Sequence, residues 1–580
     1  MLVYGDHCEC IGAAEKWREI AGILERLNRT APGIARHAIL VSALIECGRL
    51  FQGLADAEFK SAGCDCWTPE TRSLGRFVHE LATAVGRSWD EGCTGDVPVP
   101  QPPSMPATAE NLELRVPEGF AFYCVYPEAF AVAARTLRLL APPRVIGIRS
   151  IGTTLGAMVA AALDAPPAVT LRPFGDPFAR KIAVAPELAE ELLSGSVHYI
   201  IVDEGPGQSG SSFGCVADWL ESRGVRRSHI AFVASHAGDL GPHASASHRQ
   251  RWRDVQRAVA EFGPRLPDLL TDWCKDLLGP FDAPPADISA GKWRVLWPEE
   301  PLLAVNPMWE RRKFLASAGG QTWLLKFAGL SAEGERKLAI AQKLAAAGLT
   351  PQPRGLAHGF LVERWEAKAR PLRPFDKPIQ AIGRYIGTRA QLLAPETGSG
   401  ASPGEMLEMM RRNVGIALGA DAARMLDRWE PRLAALATAA VPMRTDSRLD
   451  PHEWLVAADG RLLKCDALDH HAGHDLVGCQ DIAWDLAGAT IEFGLDEWKG
   501  QELRSIVEAR SGRRVDAQLL DFMTLAYLAF RIGQSRLSAE MTRPVEAERH
   551  RSRALHYADE LRRRLPPTGS PAELSAFQLA

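Results

Sequence analysis

The sequence predicts a multi-domain α/β chain in which a small helical unit, a parallel-sheet α/β unit and an α+β unit follow one another. Three observations carry this reading. Apolar residues recur at helical spacing through residues 12–90. Three apolar runs alternate with helical stretches between Val145 and Ser235, and a hairpin pattern followed by long helical stretches fills the chain from Trp293 to Leu565.

The first unit spans residues 1–93. Trp17, Ile20, Ile23 and Leu24, then Ile39, Leu40, Leu44 and Ile45, mark helical faces. It ends at a proline-rich linker, 94–107, whose VPVPQPPSMP run excludes regular structure. The second unit spans 108–245. Its runs VIGI, YIIV and IAFVAS have the continuous apolar character of parallel strands buried on both faces. Residues 246–292 read as a helical connector with a proline break at FDAPPAD, 293–565 as the third unit, and 566–580 as a tail.

The 580 residues suffice for three or four domains of usual size. A charged content of 24% and a net charge of -4 give no electrostatic case for nucleic acid or an anionic membrane, and favour small-molecule substrates. No apolar run approaches the roughly 18–20 residues of a membrane span. The start MLVYGDHCEC lacks a basic region followed by an apolar one, so a cytoplasmic location is expected. Eleven cysteines, an odd number spread through a long chain, fit reduced thiols. His7, Cys8, Cys10, Cys64 and Cys66 offer either a zinc site or ordinary thiols, and C-x-C is not the usual C-x-x-C spacing.

The densest chemistry lies in HYIIVDEGPGQSGSSFGCVADWLESRG. A buried strand leads into two acids, Asp203 and Glu204, then a Gly/Ser-rich loop of Gly207, Gln208, Ser209, Gly210, Ser211 and Ser212, then an amphipathic helix that Ser211 or Ser212 can cap. Successive amides and a helix N-terminus aimed at one point suit a phosphate, and the acids can accept hydrogen bonds from ribose hydroxyls. A second cradle follows VIGI, with Arg149, Ser150, Gly152 and Thr153 entering a helix. Between the two, RPFGDPFARK sets Arg172, Arg180 and Lys181 about a turn, a composition suited to a mobile basic flap. A nucleotide-binding turn of another α/β fold would use the same loop chemistry.

This segment resembles the type I phosphoribosyltransferases, whose signature is a strand, two acids, a spacer and a T-G-x-T-like end. Val202-Asp203-Glu204 and Ser209-Gly210-Ser211-Ser212 carry the resemblance, with Gly205-Pro206 where two apolar residues are usual and one residue more before the Ser-Gly. The resemblance implies phosphoribosyl diphosphate (PRPP) as donor. It places the ribose 5-phosphate on Asp203, Glu204 and 207–212, the diphosphate on Arg149, Ser150, Gly152, Thr153, Arg172, Arg180 and Lys181, and Mg2+ beside the leaving group. The aromatic stretch FAFYCVYPEAF, 120–130, is either a hood over the acceptor or a structural strand.

In the third unit, RRKFLASAGGQTWLLKFAGL reads as a hairpin that puts Lys326 in an apolar strand. The following helix offers Glu335 as its partner, and GFLVERW enters a hinge. The later run RTDSRLDPHEWLVAADGRLLKCDALDH, followed by QDIAWDLAGA, resembles the aminoglycoside phosphotransferase-like kinases. That resemblance implies ATP held through Lys326 and Glu335, Asp446 as catalytic base, Glu453 and Asp466 as metal ligands, and Asp481 and Asp485 as structural acids. Arg444-Thr445 stand where His-Gly is usual, two residues are inserted in the loop, and Glu453 replaces an Asn. Two functions are thus in view: a phosphoribosyltransferase fused to a kinase-like domain acting on a related small molecule, or a PRPP- or nucleotide-sensing regulator with a catalytically weak kinase-like scaffold.

Overall fold

The computed structural model describes residues 8–104, 111–207, 209–241, 243–297, 303–373, 376–393, 400–473 and 476–565. Helices Ala13–Arg29, Ile34–Ala62 and Pro69–Asp90 form the first unit. Thr68 caps the third, its side chain accepting the Thr71 amide, and Pro69 fits the first turn, where no amide partner is needed. Ile34–Ala62 is, by length and composition, apolar enough to cross a membrane, against the expectation that no run approached that length. Its apolar window is mostly buried inside the fold, because the helix packs against the other two and against helices Gly152–Ala162 and Ser331–Ala346. Gly48 permits that approach, since a Cβ there would stand 2.2 Å from Thr154 Oγ1.

The unit is closed by an antiparallel pair, β1 (Cys8–Ile11) with β2 (Leu112–Arg115). Residues 112–115 therefore belong with the helices and not with the second unit, as the linker had suggested. A strand of four residues beyond a proline run leaves little pattern to read.

Five parallel strands follow: β3 (Pro143–Ile148), β4 (Val169–Leu171), β5 (His198–Val202), β6 (Ile230–Ala234) and β7 (Gln256–Val259), in the order β4-β3-β5-β6-β7. β7 lies in what the sequence presents as a helical connector, because QRAV is too short and too polar at its start to show a strand period. Side chains alternate across the sheet. Val145, Ile200 and Val202 face the helical unit and helix Gly152–Ala162, whereas Ile146, Ile148, Tyr199 and Ile201 face helix Ser211–Glu221. The chain leaves β3 to one side for β4 and returns on the other for β5, so the order reverses between β3 and β5.

The third unit opens with an antiparallel sheet in the order β11-β12-β10-β9-β8, comprising β8 (Ala286–Asp287), β9 (Lys313–Ala318), β10 (Gln321–Phe327), β11 (Pro353–Ala357) and β12 (Phe360–Arg364). It thus starts before residue 293. Gly319 and Gly320, with φ of 59° and 72°, make the two-residue turn between β9 and β10, where both positions need a left-handed backbone. A helical lobe follows, with helices Ile379–Leu392, Ile482–Glu492, Ala517–Met541 and Pro544–Arg564 around one core, and with a small sheet of β13 (Arg370–Pro371), β14 (Trp454–Val456) and β15 (Leu462–Lys464) at its edge.

The three units meet at a buried polar point. Glu128 Oε1 lies 2.9 Å from His37 Nε2 of the first unit and 2.8 Å from His358 Nε2 in the turn between β11 and β12. The Tyr126 hydroxyl donates to the His358 carbonyl at 2.8 Å. Burial alone would neutralise Glu128, yet the two imidazoles hold its carboxyl well below the usual range.

Candidate functional site

Two loops stand at the carboxyl ends of β3 and β5, the neighbouring strands between which the order reverses, and open parallel sheets bind ligands in the crevice at such a point. The first loop is drawn tightly against the second strand. A Cβ on Gly152 would lie 2.8 Å from the Val202 carbonyl, and one on Gly147 would lie 2.1 Å from the Gly152 carbonyl. In the first turn of helix Gly152–Ala162 the Thr153 and Thr154 amides donate to the Ser150 and Ile151 carbonyls at 3.0 and 3.1 Å, and the buried Thr153 hydroxyl finds no partner among the described residues.

Asp203 ends β5 half-buried, its Oδ1 accepting the Glu204 amide at 2.8 Å. Burial pushes its carboxyl up to about 7, with the Glu204 amide, Arg180 and Arg172 working the other way. Beyond it, Gly207 and Gly210 take left-handed φ values of 60° and 63°. Gly210, not Ser211 or Ser212, is the N-cap of helix Ser211–Glu221, and a Cβ on it would meet Leu240 at 2.8 Å. Ser209 Oγ accepts the amide of Ser211, the buried first residue of the helix, at 3.2 Å, and Ser212 after it is half-buried. Gln208 lies outside the described residues.

The basic segment is a hairpin closed over this loop. Phe174 and Lys181 exchange backbone hydrogen bonds of 2.8 and 2.9 Å, and the Ser209 and Ser211 hydroxyls reach the Pro177 carbonyl at 3.1 and 2.8 Å. Lys181 is exposed and Arg180 half-buried. Two of the residues offered to the diphosphate are engaged elsewhere. Arg149 is buried, pairing with Asp65 and, at 3.0 Å, with Asp56. Arg172 Nε donates to Asp56 at 2.8 Å, and its Nη1 donates to the Arg149 carbonyl at 2.6 Å and lies 3.4 Å from Ser150 Oγ. Both guanidiniums tie the sheet to the helical unit, a contact invisible to a reading of one segment at a time. Cys64 and Cys66 flank Asp65 in this contact, and among the described residues no cysteine joins a cluster able to hold a metal.

The aromatic stretch is neither a strand nor a hood over this crevice alone. Gly119 backs Glu204, a Cβ there lying 2.8 Å from its Oε2. Three residues on, Phe122 and Tyr123 line a different cavity, and Phe122 lies under Arg311 and Lys337. One short segment thus touches both sites.

That second cavity, about 560 Å³, lies between the antiparallel sheet and the helical lobe. Lys326 enters it from β10 and pairs with Asp466, not with Glu335. Glu335 instead pairs with Arg26 of the first unit at 2.8 Å. Its helix sends Lys337 inward, with Nζ 3.1 Å from Asp469 and 3.0 Å from the Ala121 carbonyl. Burial lowers Lys337 to about 8 despite Asp469. Glu363, on β12 opposite, is raised to about 7 by burial, with Lys326 acting against it.

Asp446, expected as the base, is fully buried and is not among the residues that line the cavity. Its carboxylate accepts from Tyr385 at 2.5 Å, and His470 Nδ1 lies 3.3 Å away. The backbone around it is clamped: Asp485 accepts the amides of Asp446 and Ser447 at 2.8 Å, Arg389 donates to the Arg444 carbonyl at 2.8 Å, and Asp481 caps its helix. The residue at the cavity wall is His470, whose Nε2 lies 3.5 Å from Asp466 Oδ2.

The residues that would hold a divalent ion are matched by cations of this chain. Lys464 Nζ stands 2.7 Å from Glu453 Oε2 and 3.6 Å from Asp446 Oδ2, and donates to the Asp466 carbonyl. Asp466 is paired with Lys326, and Asp469 with Arg311 at 3.0 Å and with Lys337. Burial opposes its charge, but Asp446 and Glu453 hold the Lys464 ammonium above its usual range. The donor set as it stands does not fit a metal ion. Sequence reading missed Lys464, although the strand period places it and Asp466, two residues on, toward one side.

No family model matches this chain, and no curated protein matches it. Among solved structures, it is similar to choline kinase LicA from Streptococcus pneumoniae, with 18% identity, 44% of this chain and 89% of that chain covered, and a TM-score of 0.30. It is similar to a type I macrolide 2'-phosphotransferase, with 15% identity, 50% and 96% covered, and a TM-score of 0.34. It is also similar to a spectinomycin phosphotransferase in complex with ADP and spectinomycin, with 15% identity, 52% and 94% covered, and a TM-score of 0.29.

Proposed function

We propose that this chain is a phosphoribosyltransferase that takes PRPP at the β3–β5 crevice, joined to a kinase-like unit whose cleft takes a related small molecule. One observation carries the reading: two phosphate-suited loops, 149–153 and 203–212, stand at the ends of neighbouring parallel strands where the strand order reverses. On this reading the amides of Gly207 to Ser212 hold the 5-phosphate, and Asp203 and Glu204 accept hydrogen bonds from the ribose hydroxyls. The loop from Ser150 to Gly152 supplies amides to the diphosphate, Thr153 supplies its hydroxyl, and Arg180 and Lys181 cover it from the flap. A nitrogen nucleophile forms the new bond to the anomeric carbon as the carbon–oxygen bond to diphosphate breaks, and the closed flap excludes water.

The test is incubation of the full chain with PRPP, magnesium and a panel of nitrogenous acceptors, following diphosphate release. Release that depends on an acceptor supports the reading. If PRPP shows neither turnover nor binding, the crevice serves another phosphate ligand.

A second reading, that the chain is a PRPP- or nucleotide-sensing regulator, is favoured by the burial of Asp446, which leaves the kinase-like unit without an accessible carboxylate base at that position. PRPP binding without diphosphate release to any acceptor would support it.

A further inference from the structure

We propose that Lys464, buried behind the wall of the second cavity, takes the place a divalent cation would take between Asp446 and Glu453, and that this cavity binds a nucleoside triphosphate without a metal ion. The inference rests on reading the cavity as a nucleotide cleft, but not on the phosphoribosyl reading of the first crevice.

The geometry points to it in three steps. Two groups of side chains in this unit have a composition able to ligate a metal, namely Asp446, Glu453 and His470, and Asp466, Asp469 and His470. Each already contains ammonium or guanidinium groups. Lys464 lies between Asp446 and Glu453 in the first, and Lys326, Lys337 and Arg311 meet the carboxylates of the second. Lys464 is fully buried behind the cavity wall, held by Asp446 and Glu453 of one loop and by the Asp466 carbonyl of its own segment, so its ammonium is a fixed charge and not a mobile surface one.

The cavity nevertheless has the chemistry of a nucleotide site. Lys313, Lys326, Arg311 and Arg448 line it as donors suited to phosphate. Trp297 and Trp365, with ring centroids 5.8 Å apart, stand toward the other end of β10, where the Trp365 amide donates to the Thr322 carbonyl. From Thr322 to Lys326 is four residues of strand, about 13 Å, which spans a stacked base and its phosphate chain. A metal ordinarily relieves the repulsion between triphosphate and acidic floor. Here Lys464 keeps Asp446 and Glu453 neutralised, and an arriving triphosphate exchanges into the contacts that Lys326 and Arg311 make with Asp466 and Asp469.

The experiment is calorimetry on the full chain with ATP as probe, once in EDTA and once in excess magnesium. Saturating diphosphate is present in both runs to occupy the first crevice. The expected result is a dissociation constant that differs by less than about threefold between the two conditions, together with at least a tenfold loss for Lys326→Ala in EDTA. Binding seen only with magnesium would overturn the proposal, and so would no ATP binding under either condition. Independently, electron paramagnetic resonance of Mn2+ without nucleotide should show one ion more per chain in Lys464→Met than in wild type, since that variant frees Asp446 and Glu453. An unchanged count in a folded variant would also overturn it. Should Lys464→Met fail to fold, the wild-type comparison decides alone. PRPP titration in separate samples, with magnesium and without diphosphate, reports on the first crevice, so the two readings fail independently.

Discussion

The hydroxyl of Ser211 donates to the carbonyl of Pro177 at 2.8 Å, so the flap is latched by a group that the loop would offer to a phosphate. A phosphate arriving at the loop must therefore compete with the flap for that hydroxyl, and with it for Ser209, 3.1 Å from the same carbonyl.

The first prediction follows from that latch. The double variant Ser209→Ala, Ser211→Ala loses two contacts worth about 0.5–1.5 kcal/mol each. Hydrogen exchange should accelerate across 174–181 while β3, β5 and β6 stay protected. Unchanged exchange in the flap would mean that the hairpin is held by its own turn and not by the loop.

Asp203 gives a pH prediction. Its folded-state value of about 7 lies above the roughly 3.9 of an unfolded aspartate, so the folded chain holds the extra proton. That contribution to stability is complete below about pH 4 and is lost as pH rises through about 7. Asp203→Asn cannot ionise, so it should match wild type in chemical denaturation at about pH 3 and exceed it by roughly 1–2 kcal/mol at pH 8, discounted for partial exposure. The same variant should bind PRPP at least tenfold more weakly, because the amide presents one acceptor in place of two. A gain in stability without a loss of affinity would remove Asp203 from the ribose site.

Arg149 should act on folding before it acts on any ligand. Arg149→Ala takes the guanidinium from the buried Asp65, while Asp56 keeps Arg172, and breaking such a buried pair costs about 3–5 kcal/mol. The expected outcome in urea denaturation is loss of cooperative unfolding between the helical unit and the parallel sheet. A variant as stable as wild type but unable to bind diphosphate would restore the role first expected of this arginine.

Asp446→Asn should also register as a stability change. It removes the charge facing Lys464 and leaves one amide oxygen where two carboxylate oxygens met Tyr385 and His470, a loss of about 1–3 kcal/mol at a fully buried position. Thermal unfolding of the full chain should fall, whereas a base that only received a proton from an acceptor would leave it unmoved.

The parallel sheet was legible because VIGI, YIIV and IAFVAS are continuous apolar runs closed by loops of unmistakable turn composition. β7 and β8 were not, since strands of four and two residues take their register from neighbours and carry no period of their own. The same holds in the sites. Asp203, Glu204 and the glycines after them stand together in sequence and in space. Arg149 and Arg172 meet Asp56 and Asp65 across roughly a hundred residues, and Lys326 meets Asp466 across 140, so composition showed the charges but not their partners. Glu335 shows the converse, a carboxylate at a plausible helical position whose side chain points away, toward Arg26.

The point where Glu128 joins His37 to His358 bears on how such a gene can be divided. Cutting at the proline-rich linker would deprive a buried carboxylate of one of its two imidazoles, and cutting after the parallel sheet would deprive it of the other. Neither fragment would inherit a finished interior. The three units therefore cannot be traded as separate cassettes, and any recombinant that exchanges one of them must carry a matching residue at all three positions or fall back on an ion with no counterpart in a dry interior.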